Sequence, residues 1–69
     1  MKARKSLELT FPTDFTATLF IWDNMHWLPK SERSEGNVLR FAVQRRTERK
    51  EIRDCACGIY HATAKTIIH

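Results

Sequence analysis

Between Lys5 and Phe11 the chain alternates, with Leu7, Leu9 and Phe11 falling to one side and Ser6, Glu8 and Thr10 to the other. Period-two alternation belongs to a strand with one face buried and one face wet. A chain of 69 residues buries only ~60% of the surface its unfolded form exposes, so it can build one modest core. A sheet open on both faces is beyond it, and something must cover the apolar side. Hydrophobic residues at 42% and charged residues at 29% give an ordinary globular balance. These constraints predict an α+β fold: a small single domain over residues 1–69, with an antiparallel sheet of three to four strands and one short helix.

The other segments fill in that plan. Pro12, Thr13 and Asp14 break the first strand as a turn would. Phe15 to Trp22 reads as a second strand, with Phe15, Ala17, Leu19 and Ile21 on one face and Thr16, Thr18, Phe20 and Trp22 on the other. Threonine and aromatic residues favour strands, and two such runs around a short turn predict a hairpin. Residues 23–37 read as a loop rich in turn formers, and loops of this length often carry function. Met25, His26, Trp27 and Leu28 would fold part of it back onto the core.

Val38 to Gln44 reads as a strand that sets Leu39, Phe41 and Val43 on one side. A single helix from there to Cys57 would leave Leu39 and Val43 off its apolar stripe, so the strand is preferred. Thr47 to Cys57 favours a short helix, with Glu48 in the first turn and Gly58 placed to end it. The rival is a hairpin pairing residues 38–46 with 51–60. Ile59 to Ile68 leans to a strand through Thr63, Thr66, Ile67 and Ile68, although its alanines and Lys65 also suit a helix.

Charge is unevenly placed. The net charge is +4, and residues 1–5 form a basic amino-terminal tail through Lys2, Arg4 and Lys5. The middle of the chain is net acidic and residues 38–69 are net basic. Such asymmetry points to an anionic partner, either an acidic protein face or nucleic acid. On a helix, Arg45, Arg46, Arg49, Lys50 and Arg53 fall within an arc of about 140° at 100° per residue. That makes one basic stripe, and guanidinium groups are suited to carboxylate and phosphate. Trp27, beside His26 in the polar loop, is the candidate apolar anchor for a protein partner. Phe20 and Trp22 would offer a stacking platform if their sheet face were open, but core is the preferred reading, with a helix or the loop covering that face.

Cys55, Cys57 and His61 form a C-x-C-x-x-x-H cluster that could hold zinc, with His26 or His69 as a fourth ligand. The spacing departs from the usual C-x-x-C knuckle, so buried thiols are the preferred reading and no metal or other cofactor is expected. No G-x-S-x-G, H-E-x-x-H or glycine-rich phosphate loop occurs, and the chain has little room to exclude water from a reaction. The charged start is not followed by an apolar run of roughly seven or more residues, so no secretory signal is expected. The longest apolar run, Leu19 to Trp22, is too short to span a bilayer. Unbridged cysteines then fit the cytoplasm.

These features together predict a small non-enzymatic regulatory or inhibitory protein that binds a protein partner stoichiometrically. Its size suits an accessory protein of a virus or mobile element. The candidate partner-binding residues are His26, Trp27, Arg45, Arg46, Arg49, Lys50 and Arg53, facing an acidic surface. A nucleic-acid-binding regulator using the same basic stripe is the first alternative, and a zinc-stabilised module on Cys55, Cys57 and His61 the second. An exposed sheet edge could also pair two copies into a homodimer.

Overall fold

A computed structural model describes residues 4–68. The elements run β1 (Lys5–Thr10), α1 (Asp14–Asn24), β2 (Glu32–Glu35), β3 (Val38–Phe41), α2 (Arg46–Ile59) and β4 (Thr63–Ile68). The four strands form one sheet in the order β2-β3-β1-β4, with every neighbouring pair antiparallel. This is two interleaved split βαβ units. The α+β expectation holds with four strands, but two helices cover the sheet where one was expected.

The first strand forms as its alternation demands: Leu7 and Leu9 lie opposite Phe41 and Leu39 of β3 and are buried with them. Its partners are β3 and β4, so the expected hairpin with residues 15–22 does not form. That segment is α1. Thr13 sits in extended geometry at its N-cap, and its hydroxyl accepts a hydrogen bond from the Thr16 amide at 3.0 Å. Asp14 follows in the first turn, where a carboxylate complements the helix dipole. The helix turns Ala17 and Phe20 into the core. In a domain this small, covering the sheet outweighs the strand preference of threonines and aromatics.

The expected loop 23–37 also breaks up. Its start completes α1, residues 25–31 connect, and Glu32–Glu35 becomes β2. The β2–β3 turn packs on the head of α1, where a Cβ added at Gly36 would overlap the Asp14 carboxylate. Asn37 ties the same turn to the end of β1: its side-chain amide donates to Phe11 O at 3.0 Å, and its carbonyl accepts from the Phe11 amide at 2.8 Å.

The helix expected at 47–57 is α2, and the strand expected near the end is β4. Gly58 does not end α2 but lies inside it. The chain turns at Tyr60 and at His61, whose φ is 59°. The amides of Tyr60 and Ala62 both donate to Ala56 O, at 3.0 and 3.2 Å. Gly58 has helical geometry with open space where a side chain would go. Gly58→Ala should therefore raise the free energy of unfolding by ~0.5–1 kcal/mol, measured by urea titration. A fall in stability would mean that the last turn needs the glycine.

Seven side chains fill the centre almost without exposure: Leu7, Leu9, Phe11, Phe20, Leu39, Phe41 and Ile52. Phe20 of α1 is their hub, with ring centroids 5.2 Å from Phe11, 5.2 Å from Tyr60 and 6.4 Å from Phe41. Aromatic pairs at these separations add to the stabilisation from buried area. The helices meet through polar groups: Tyr60 OH donates to Asp23 Oδ2 at 2.7 Å, and Asn24 Nδ2 donates to Tyr60 OH at 3.4 Å.

The sheet face away from the helices is polar. Strand register sets Lys65, Glu8, Arg40 and Glu32 in one row across all four strands, with alternating sign. Arg40 and Glu8 form an ion pair at 2.8 Å. The β2 edge, Glu-Arg-Ser-Glu, is exposed throughout, and such charges discourage pairing with another chain.

Candidate binding surfaces

Two surfaces stand out, and the first is basic. Arg46, Arg49, Lys50 and Arg53 of α2 face Lys5 and Leu7 of β1 and Thr66 of β4 across a groove of about 450 Å³. Four of the five arginines and lysines of the sequence-derived stripe come together here. Arg45 does not line the groove: it is the N-cap of α2, with no side-chain capping bond. Lys5, read both as the end of the basic tail and as the start of the first strand, opens β1; its amide donates to Gln44 Oε1 and its carbonyl accepts from Gln44 Nε2, both at 3.0 Å. Residues 1–3 of that tail lie outside the described residues.

Arg49 differs from the rest of the stripe. It is only 9% exposed, and its Nη1 donates to Val43 O at 2.9 Å and Gln44 O at 2.7 Å. These bonds hold the β3–α2 connection. Among the described residues, no carboxylate pairs with Lys5, Arg46, Arg49 or Lys50, and Arg53 reaches only Asp54, at 3.6 Å. A second groove of about 500 Å³, on the other sheet face, has mixed charge: Lys30 and Arg40 share it with Glu32.

The second surface is apolar. At 100° per residue, Phe15, Leu19 and Trp22 fall within an arc of about 60° on α1. Phe15 is 69% exposed, Trp22 71% and Leu19 37%. Met25, just past the helix, is 69% exposed. This arc is opposite the side that carries Ala17 and Asn24 inward, so α1 has apolar side chains on both faces. Arg33 of β2 donates to Thr18 Oγ1 at 2.9 Å, which sets a guanidinium one helical turn from both Phe15 and Trp22.

Sequence reasoning missed this stripe. In a strand, Phe15 and Leu19 would fall on the core face; in the helix they point outward. Phe20 and Trp22 are not a stacking platform, since Phe20 is buried and Trp22 alone faces solvent. Trp27, the expected anchor, is as exposed as Leu19, at 37%, and its Nε1 donates to Asn24 Oδ1 at 2.9 Å. His26 beside it is exposed. The spacing of residues 15, 19 and 22 was the available signal.

The described thiols and histidines do not converge. Among the described residues, no three His, Cys, Asp or Glu side chains form a metal-sized group, so Cys55, Cys57 and His61 do not come together as zinc ligands; His69, offered as a fourth ligand, lies outside the described residues. α2 separates the two cysteines by about 200° around its axis. Cys55 Sγ lies 3.8 Å from Asn24 Oδ1, and burial pushes its thiol above the usual range, away from thiolate chemistry. Both cysteines are free. The Asp23 carboxylate, accepting from Tyr60, likewise raises the Tyr60 phenol. Among the described residues, no helix is long and apolar enough to cross a membrane.

The topology hosts many unrelated functions and so assigns none. Comparison with family models, with curated proteins and with solved structures finds no match to this chain.

Proposed function

We propose that this chain is a small non-enzymatic regulatory protein that binds a protein partner stoichiometrically through the outward face of α1. The observation that carries the reading is the exposed row Phe15, Leu19, Trp22 and Met25 on an element whose other face already serves the core. Large apolar side chains grouped on a small surface mark interaction sites, and tryptophan is the residue most enriched among binding hot spots. Arg33, fixed at Thr18 beside the row, favours a partner cleft rimmed by carboxylates and would steer its approach. Two free cysteines fit a reducing compartment such as the cytoplasm.

The test is affinity capture from cell extract with nuclease present, followed by calorimetry on the purified pair. One protein should be retained near 1:1, and Phe15→Ala/Trp22→Ala should weaken it by ~30-fold or more, the scale of a lost hot spot. Trp27→Ala should have a smaller effect, because its ring is already held against Asn24. Retention that ignores the α1 variant would overturn the reading. So would a complex that dissolves when nuclease is added. A dimer of the isolated chain that survives the α1 variant would point instead to pairing through the β4 edge.

A further inference from the structure

We infer that the groove between α2 and the β1/β4 margin is a second binding site, for a compact polyphosphate such as a condensed phosphate or the triphosphate tail of a nucleotide. Among the described residues, the groove gathers five cations, Lys5, Arg46, Arg49, Lys50 and Arg53, and no acidic side chain lines it. At about 450 Å³ it falls within the ~300–1,000 Å³ usual for small-ligand pockets. Like charges held this close repel, and an arrangement without carboxylates leaves that repulsion for a ligand to relieve.

Arg49 is the strongest sign of a built site. It is nine-tenths buried, and its charge meets only the carbonyl oxygens of Val43 and Gln44. A guanidinium held out of water without a counter-ion is costly. Both bonds leave from Nη1, and among the described residues the only buried polar side-chain atom without a partner is Arg40 Nε. Nε and Nη2 of Arg49 therefore keep solvent access, and Arg49 lines the groove. The residue is braced on one side and has donors free for an anion on the other, in the fork geometry that suits phosphate.

Density of charge distinguishes a condensed phosphate from a nucleic-acid strand. Phosphodiesters carry one charge each, spaced ~3.4 Å along a duplex axis, so a strand would bring about three charges to the ~10 Å of α2 between Arg46 and Arg53. That leaves about two of the five cations unmatched, whereas linked phosphates concentrate several charges in a shorter span. Base recognition would also need an aromatic platform, and among the described residues the groove is lined by none.

The site is independent of the α1 surface. Arg46, Lys50 and Arg53 lie about 140–180° around α2 from Cys55, and Cys55 is the side chain that faces α1 at Asn24.

Calorimetric titration of the whole chain with inorganic tripolyphosphate tests the proposal, with orthophosphate, ATP and a ten-residue thymidine oligonucleotide as comparison arms. One tripolyphosphate should bind per chain, at least ~10-fold tighter than orthophosphate. Arg46→Gln/Lys50→Gln should weaken it by ~10-fold or more. Lys65→Gln, a charge change on the opposite sheet face, and Trp22→Ala should leave it unchanged. Both groove positions are exposed, so the variant should fold, and circular dichroism checks this. ATP matching tripolyphosphate would identify the phosphate tail alone as the ligand; ATP binding much tighter would identify a nucleotide. Absence of saturable binding at low salt would overturn the proposal, as would an equal loss in Lys65→Gln. Oligonucleotide binding tighter than tripolyphosphate would overturn it in favour of nucleic acid.

Discussion

Phe20→Ala should leave the chain largely unfolded at ambient temperature. Phe20 is fully buried and its ring meets Phe11, Phe41 and Tyr60. Truncating a buried phenylalanine costs ~3–5 kcal/mol, the lost transfer term plus the cavity left behind. At ~0.05–0.15 kcal/mol per residue, a domain of this length has a total of only ~3–10 kcal/mol. The loss is concentrated because Phe20 is the aromatic contact of α1 with both the sheet and Tyr60 at the end of α2. Urea titration followed by far-ultraviolet circular dichroism measures it. Phe20→Leu, which keeps most of the volume, should lose less and retain a cooperative transition. An alanine variant within ~1 kcal/mol of the parent would show that α1 is not anchored through this ring.

Arg49→Leu should destabilise the chain by ~2–3 kcal/mol and lower the melting temperature by ~8–20 °C. Two effects oppose each other. Leucine removes a buried charge that has no carboxylate partner, and such replacements can stabilise. It also strips the hydrogen-bond donor from Val43 O and Gln44 O. Bonds from charged donors are worth ~1.5–3 kcal/mol each, and a buried carbonyl left without a donor adds its own desolvation cost. Arg49 keeps some solvent access, so the charge penalty is softened and the carbonyl loss should win. Arg49→Lys keeps the charge without the planar fork and should fall between the two. A Leu variant more stable than the parent would reverse that balance, leaving the guanidinium as a net cost that the fold bears.

β1 was legible through an unmixed alternation, and β3, α2 and β4 because the signal for the observed element outweighed its rival. Leu7, Leu9 and Phe11 alternate, as do Leu39, Phe41 and Val43, and Ile52 and Ala56 mark one side of a helix whose opposite side is charged. α1 hid itself by having apolar side chains on two opposite faces, so neither period dominated. The outward apolar residues proposed to meet a partner therefore also concealed it as a helix. Thr13 and Asp14, read as a turn, were its N-cap and first turn. β2 carries no apolar residue and exists through its pairing with β3, which leaves nothing for a hydrophobic pattern to report. The basic stripe was visible because α2 was. The inward turn of Arg49 was not, since it lies at the boundary between the charged arc and the side that buries Ile52 and Ala56.

The alternating charges on the open sheet face have a consequence for how the strands find their alignment. Slipping β1 against β3 by two residues would still match apolar with apolar, setting Leu7 against Leu39 or Leu9 against Phe41. Hydrophobic pattern alone excludes one-residue errors and is blind to two-residue ones. Glu8 is not blind to them. In register it stands between Arg40 and Lys65, while a two-residue slip on either side would put it against Val38 or Ala42, or against Thr63 or Ile67. Its side chain is only 23% exposed, so each misalignment would leave a mostly buried carboxylate without a partner. One acid thus works as a key for three strands, admitting the native alignment and rejecting those that the core would tolerate.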